Sequence, residues 1–227
     1  MVLSVTPKRL AAAALDFCLP RRCLFCRGEL EDAGPLCPAC EAELPRTGAQ
    51  AVPSGVRFER CLSPLYYTGA LRDSFHRYKF GGRWHYSRVY AQWMWDCLRS
   101  RESVPFDCIT WVPISRLRYL RRGYDQSGRL ARGVAGHSGL PRKPLLEKIR
   151  NNPAQSGTHS AEERRENTQG VYRLRRGAEV RGKRILLVDD IITTGSTLEE
   201  ASRVLHEAGA AEVCCLTLAR TPAHHSP

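Results

Sequence analysis

A strand–loop–helix–strand unit near the carboxyl end of the 227-residue chain most constrains its fold. Residues 185–188 are four apolar, mostly branched amino acids, as expected for a strand covered on both faces. After the loop that follows, apolar residues recur at helical spacing over 198–208, Gly209 offers a helix stop, and 212–218 has the pattern of the next strand. A further strand is predicted at 107–112. This alternation predicts an α/β fold, a parallel sheet flanked by helices.

The loop of this unit carries two kinds of polar group. With the strand predicted to end at Val188, Asp189 and Asp190 emerge at the carboxyl edge of the sheet, where ligands bind in open α/β folds. Adjacent carboxylates raise each other's proton affinity, so the pair is costly by itself. The pair becomes useful when vicinal hydroxyls or a divalent cation lie opposite. We expect both carboxylates to sit at the solvent edge.

Four residues with hydroxyl groups then precede the helix, Thr193, Thr194, Ser196 and Thr197, with Gly195 between them. Hydroxyls and backbone N–H groups at a helix N-terminus form a good cradle for a phosphate. Glycine lets the backbone curl round the anion. The alternative is that these residues only cap the helix, but one hydroxyl would suffice for a cap. The two halves of the loop therefore indicate a sugar with neighbouring hydroxyls and a terminal phosphate.

Residues 188–197 resemble the loop that binds phosphoribosyl pyrophosphate in type I phosphoribosyltransferases. The resemblance implies the phosphoribosyltransferase fold. It also implies that Asp189 and Asp190 contact the ribose hydroxyls as the catalytic pair, that 193–197 hold the 5-phosphate, and that Mg²⁺ accompanies the ligand.

A pyrophosphate group would need cationic partners of its own. Residues 112–118 follow a predicted strand and bring a hydroxyl and two guanidinium groups, and a second basic segment begins a few residues later. Arginine forks match phosphate oxygens geometrically, which lysine cannot do. A solvated basic loop is the alternative. The candidate ligand-binding residues are Ser115, Arg116, Arg121 and Arg122, together with Lys79.

Four of the ten cysteines form two Cys-x-x-Cys pairs, separated by ten residues: Cys23, Cys26, Cys37 and Cys40. This is the ligand spacing of a tetrahedral Zn²⁺ site, and four sulfurs close the coordination sphere, so the predicted role is structural. A redox pair is the competing interpretation, but it needs only one of the two pairs. Paired metal-binding thiols and the lack of an apolar stretch of membrane-spanning length predict a cytoplasmic protein.

Composition divides the chain into three parts. We predict an N-terminal helix and a four-cysteine zinc module over 1–48, a Gly/Pro/Ser-containing linker over 49–57, and the phosphoribosyltransferase domain over 58–227. Because more than a hundred residues separate the cysteines from the loop at 188–197, we expect the zinc site to be indifferent to changes in that loop.

The formal net charge of +12 suggests a polyanionic partner, either nucleic acid or a phosphorylated small molecule. An Arg-rich genome is the alternative explanation. Aromatic residues that alternate with basic ones offer stacking surfaces for unpaired bases, the candidates being Tyr78, Phe80, Trp84 and Tyr86. These rings could equally pack in the core or line a pocket for the acceptor substrate.

Over nearly its whole length the chain resembles ComF-type competence proteins. The stretches that carry this resemblance are the Cys-rich start, 78–82, 112–115, 121–124, Gln155, 165–167 and the loop at 188–197. The family usually has asparagine where this chain has Asp125, and a carboxylate facing the donor's phosphates would repel them.

The ComF resemblance implies a phosphoribosyltransferase fold associated with DNA uptake. Two hypotheses follow. The first is an enzyme that transfers or hydrolyses the phosphoribosyl group with Mg²⁺. The second is a non-catalytic protein that binds single-stranded DNA, together with the DNA-uptake machinery, and uses the pocket as a nucleotide or phosphate sensor.

Overall fold

The computed structural model describes residues 21–48, 57–101, 106–150 and 169–222. The predicted N-terminal helix, Gln155, residues 165–167 and nearly all of the predicted linker lie outside the described residues.

The elements alternate as the sequence pattern predicts. The helices are α1 (Pro38–Ala42), α2 (Gly69–Phe80), α3 (Ser87–Arg99), α4 (Arg116–Arg122), α5 (Gln126–Ser138) and α6 (Ser196–Glu207), and a turn of 3₁₀ helix spans Trp84–Tyr86. The strands are β1 (Arg60–Leu62), β2 (Leu65–Tyr66), β3 (Cys108–Trp111), β4 (Leu146–Lys148), β5 (Tyr172–Leu174), β6 (Arg184–Ile192) and β7 (Glu212–Arg220).

The main sheet is parallel, with the order β1-β7-β6-β3. β2 continues β1 along β7 in the same register, because Leu62 lies opposite Leu216 and Leu65 lies opposite Ala219. The two short strands therefore act as one edge strand with a break. β4 and β5 form a separate antiparallel pair. The predicted parallel sheet flanked by helices is confirmed.

The central strand β6 divides the core into two layers. Leu186 and Val188 face one cluster, which includes the buried side chains of α2, α3 and α5. Ile185 and Leu187 face the other, which includes α6 and the β4–β5 pair. This alternation follows from the two-residue period of a strand that is buried on both faces.

Two helices of the first layer, α3 and α5, approach closely. A Cβ atom added to Gly133 of α5 would lie 2.4 Å from the Cβ atom of Ala91 of α3, so only glycine fits at that crossing.

Among the described residues, no helix combines the length and the apolar character that crossing a bilayer requires.

Candidate functional site

Strand β6 does not end at Val188 as predicted. It continues to Ile192, because β7 is long enough to pair with it as far as Arg220. Asp189 therefore lies inside the sheet, opposite Thr217, and only 8% of its surface is exposed. The prediction that both carboxylates sit at the solvent edge is wrong for Asp189, whereas Asp190 is half-buried.

The Asp189 carboxylate is held from two sides. Its Oδ1 atom accepts hydrogen bonds from the Ser127 hydroxyl and from the backbone N–H of Asp190, both at 2.8 Å. Burial, and then the charge of Asp190, raise the pKa of Asp189 to about 8. In the free protein this carboxyl group carries a proton over much of the neutral range, and a cation would have to displace that proton.

The Asp190 carboxylate forms an ion pair with a lysine side chain. Its Oδ2 atom lies 3.6 Å from the ammonium nitrogen of Lys79, and its Oδ1 atom accepts the backbone N–H of Ile191 at 2.7 Å. Lys79 lies near the end of α2, more than a hundred residues earlier in the chain. The structure therefore brings together three of the predicted residues, Lys79, Asp189 and Asp190.

The segment that follows forms a concave loop before α6. Gly195 has a φ angle of 81°, in the left-handed region that favours glycine, and it is the N-cap residue of α6. The hydroxyl oxygens of Thr194 and Ser196 lie 2.9 Å apart. A small pocket is lined by Asp189 and by residues 191–198. Because α6 has twelve residues, its N-terminal N–H groups and dipole favour an anion in this pocket.

The predicted second anion segment is only partly directed at this site. Ser115 is buried and accepts the backbone N–H of Arg118 at 3.4 Å, so it caps α4. Arg122 is half-buried, donates to the Gln126 side chain at 3.0 Å and feels the charge of Asp190. Arg116 and Arg121 lie on the exposed surface of α4, and their role in binding a ligand stays a prediction.

Two residues near the aspartates were not predicted. Ser127, at the start of α5, is fully buried and hydrogen-bonded to Asp189. Lys148 lies with its ammonium group 5.5 Å from the centre of the Tyr172 ring, and burial together with the charge of Arg118 lowers its pKa to about 8. No sequence signal marks these residues, because their contacts join distant parts of the chain.

Asp125 has a structural task that accounts for the carboxylate. Its Oδ1 atom accepts the backbone N–H of Gly128 at 3.0 Å, which caps α5, and its Oδ2 atom accepts the indole N–H of Trp111 at 2.9 Å. A carboxylate accepts both bonds, whereas asparagine offers a single acceptor oxygen. Both oxygens of Asp125 therefore bind donors within the fold, at the start of α5 and at the end of β3.

The four predicted cysteines form one cluster. Their sulfur atoms all lie within 4.8 Å of one another. Backbone N–H groups point at two of the sulfurs, that of Cys37 at Cys23 and that of Gly28 at Cys26, both at 3.4 Å. Burial disfavours the Cys23 thiolate, but neighbouring N–H donors outweigh it and lower the pKa of this thiol to about 6. Four thiols this close need a cation to ionise together, so the cluster fits a metal ion.

The candidate aromatic residues divide into two groups. Tyr78 and Tyr86 are buried in the core, so the prediction that they stack on bases is wrong for these two rings. Phe80 and Trp84 are exposed, at 59% and 49%. The guanidinium group of Arg129 lies 4.6 Å from the centre of the Trp84 ring.

Comparison with known proteins defines the class of protein to which this chain belongs. The family described as "Phosphoribosyl transferase domain" matches residues 120–227, which include the carboxylate pair, the loop and α6. With the parallel sheet and the loop before α6, this match makes the chain a protein with the type I phosphoribosyltransferase fold.

Full-length relatives define the family. The chain is 30% identical to "Competence protein ComFC" of Streptococcus pneumoniae, over 83% of this chain and 89% of that protein. It is 29% identical to "Competence protein F" of Haemophilus influenzae, over 88% and 96%. It is 30% identical to "DNA utilization protein YhgH" of Salmonella typhi, over 88% and 90%. The chain belongs to the ComF family.

Proposed function

We propose that this protein binds phosphoribosyl pyrophosphate, or a related ribose 5-phosphate, together with Mg²⁺ at the carboxyl edge of its sheet. One observation carries the proposal: the end of β6, which holds Asp189 and Asp190, leads through a short loop directly into the N-terminus of α6. The carboxylates suit ribose hydroxyls and a divalent cation, and the helix N-terminus suits a phosphate.

The same arrangement supports transfer of the phosphoribosyl group. As pyrophosphate leaves carbon 1, positive charge develops on the ribose and negative charge on the leaving group. Lys79 and Arg122, which lie near Asp190, are cations available to stabilise the leaving group. Mg²⁺, when bound, would neutralise phosphate charge, and Asp189 and Asp190 are the residues that would hold it.

Comparison of ribose with ribose 5-phosphate tests the phosphate cradle. Calorimetric titration in Mg²⁺ is expected to give saturable binding of ribose 5-phosphate and at least about 100-fold weaker binding of ribose, because a charge-assisted phosphate contact contributes roughly 1.5–3 kcal/mol per hydrogen bond. Equal affinities for the two sugars would show that the loop does not recognise the phosphate.

The protonation of Asp189 predicts a pH dependence. Its pKa of about 8 means that a cation competes with a proton below that pH. The strengthening of ligand binding by Mg²⁺ is therefore expected to grow from pH 6 to about pH 8, by at most about tenfold per pH unit, and then to level off.

Asparagine at position 189 keeps the acceptor for Ser127 but removes the charge. Asp189→Asn is expected to fold normally, to bind the donor more weakly in Mg²⁺ and to lose the rise between pH 6 and pH 8. The double change with Asp190→Asn should weaken binding further. A Mg²⁺ effect in wild-type protein that is constant from pH 6 to pH 9 would contradict this assignment.

The four-cysteine cluster is proposed to hold one structural Zn²⁺ ion, since thiolates prefer this metal and four of them leave no position for water. Because thiolate ligands must stay reduced, we also propose that the protein acts in the cytoplasm.

Single-stranded DNA binding is a second candidate function, favoured by a groove of about 1290 Å³ between α3, α5 and residues 33–35. Its lining includes Trp84 and Trp93 together with basic residues, Arg88, Arg129, Arg132 and His137, against one carboxylate, Asp96. Of the two rings only Trp84 is exposed, and an exposed ring among arginines suits a stacked base and its phosphates. The names of the relatives, which refer to competence and DNA utilization, agree with such a role.

The groove predicts a salt-dependent interaction. Affinity for single-stranded DNA should fall steeply with salt, and neutralising Arg129 and Arg132 with glutamine should reduce the slope of log K against log salt by roughly 1.4, at about 0.7 per phosphate contact. Neutralising Arg175 and Arg176, which are exposed and outside the groove, removes the same charge and should change the slope little. Equal slopes for the two variants would exclude the groove as the DNA site.

A further inference from the structure

The cysteine cluster rests directly on helix α2. The carbonyl groups of Leu24 and Phe25, which lie between Cys23 and Cys26, accept hydrogen bonds from this helix. The Ser74 hydroxyl donates to Leu24 at 2.7 Å, and one nitrogen of the Arg77 guanidinium donates to Leu24 at 3.0 Å and to Phe25 at 2.6 Å. The segment that positions the first two thiols is therefore fixed to α2.

The next two residues of the same helix reach the ligand site. The Tyr78 hydroxyl donates to the backbone carbonyl of Gln126 at 2.9 Å, and Gln126 is followed by Ser127, which donates to Asp189. Lys79 pairs with Asp190. Three consecutive residues, 77–79, thus contact the cysteine segment, the start of α5 and the carboxylate pair.

The connection is buried and closely packed. Ser74, Tyr78 and Gln126 have no exposed surface. The Tyr78 ring packs edge-on against the ring of Tyr90, with 5.4 Å between their centres, and the Tyr90 hydroxyl is hydrogen-bonded to Ser74 at 2.7 Å. A close-packed interior transmits a displacement of one element to its neighbours. A shift of α2 would therefore move the partners of both aspartates.

We propose that α2 couples the two sites, so that a metal ion on the four cysteines strengthens ligand binding at Asp189 and Asp190, with Arg77 and Tyr78 as positioning residues. The coupling rests on the proposed ribose 5-phosphate site. It replaces the expectation, drawn from separation along the chain, that the zinc site is indifferent to the loop. Coupling between binding sites is reciprocal, so the ligand must strengthen metal binding by the same factor.

The reciprocal factor can be measured in two ways on the full chain. Calorimetry compares the affinity of zinc-loaded and zinc-stripped protein for ribose 5-phosphate. A chelator competition measures Zn²⁺ affinity with and without saturating ribose 5-phosphate. Both are expected to give the same factor, between about 5-fold and 150-fold. The chelator measurement needs no stripped protein and reads metal binding alone.

Two variants locate the coupling. Arg77→Met removes the hydrogen bonds that Arg77 donates to Leu24 and Phe25, while the bond from Ser74 to Leu24 stays. Tyr78→Phe removes only the hydroxyl bonded to Gln126 and leaves the cysteine segment untouched. Each is expected to bind one Zn²⁺ when zinc is saturating and to lower the coupling factor towards one. Arg72→Met is the matched control, because Arg72 is an exposed arginine of the same helix, and it should keep the wild-type factor.

The outcomes separate the coupling from the function on which it rests. A factor of one in wild-type protein that binds both Zn²⁺ and ribose 5-phosphate would refute the coupling and leave the proposed function standing. Wild-type factors retained in both Arg77→Met and Tyr78→Phe would also refute it. A zinc-loaded protein that binds no ribose 5-phosphate would refute the proposed function, and the coupling with it.

Discussion

Replacing Thr194 with glutamate is expected to abolish binding of ribose 5-phosphate. Thr194 is exposed, and its hydroxyl lies 2.9 Å from that of Ser196 at the mouth of the pocket before α6. A carboxylate there would occupy the position proposed for the phosphate. Two like charges about 4 Å apart repel by roughly 4 kcal/mol near a protein surface, which corresponds to about a thousandfold loss of affinity. Thr197→Glu should act in the same way, and calorimetry measures both.

Glutamine separates the effect of charge from that of size. Thr194→Gln has the shape of the glutamate variant without its charge, so it should lose much less affinity. Both variants should keep the wild-type unfolding temperature, because the side chain is exposed. Equal losses in Thr194→Gln and Thr194→Glu would mean that the loop is not an anion site.

Replacing Cys37 with serine is expected to remove the metal ion. The purified wild-type protein should carry about one zinc per chain, and the variant close to none, as read by elemental analysis. From sequence, the first 45 or so residues should unfold while the large domain is spared. The structure predicts a wider effect, because Cys23, Leu24 and Phe25 are buried in the same cluster as α2 and α3.

Thermal unfolding measures the size of that effect. Each kcal/mol of metal-dependent stability that is lost should lower the Tm by roughly 2–4 °C for a chain of this size. Cys97→Ser is the matched control, because Cys97 lies outside the four-sulfur cluster and the variant should keep its zinc. Metal-free wild-type protein, prepared without chelators, would contradict the zinc assignment.

The parts of the fold that could be predicted from sequence are those set by local patterns. Four apolar residues at 185–188, the helical spacing after them and the turn residue Gly209 are short-range signals, and they predicted β6, α6 and β7. The two Cys-x-x-Cys pairs predicted a cluster for the same reason, since the spacing of each pair alone brings two sulfurs together.

The parts that could not be predicted depend on contacts between distant segments. The end of β6 depends on how far β7 pairs with it, which moved Asp189 from the expected solvent edge into the sheet. Ser127 contacts Asp189 across 62 residues of sequence, and Arg77 contacts Leu24 across 53. Periodicity carries no information about such pairs, so the positioning of the carboxylates and the link to the cysteines emerge only from the structure.

Calorimetric titration of zinc-loaded protein with phosphoribosyl pyrophosphate tests the central claim most directly. The account predicts saturable binding of one ligand per chain, strengthened by Mg²⁺ and displaced by ribose 5-phosphate. Binding of neither compound at millimolar concentration in the presence of Mg²⁺ would contradict it.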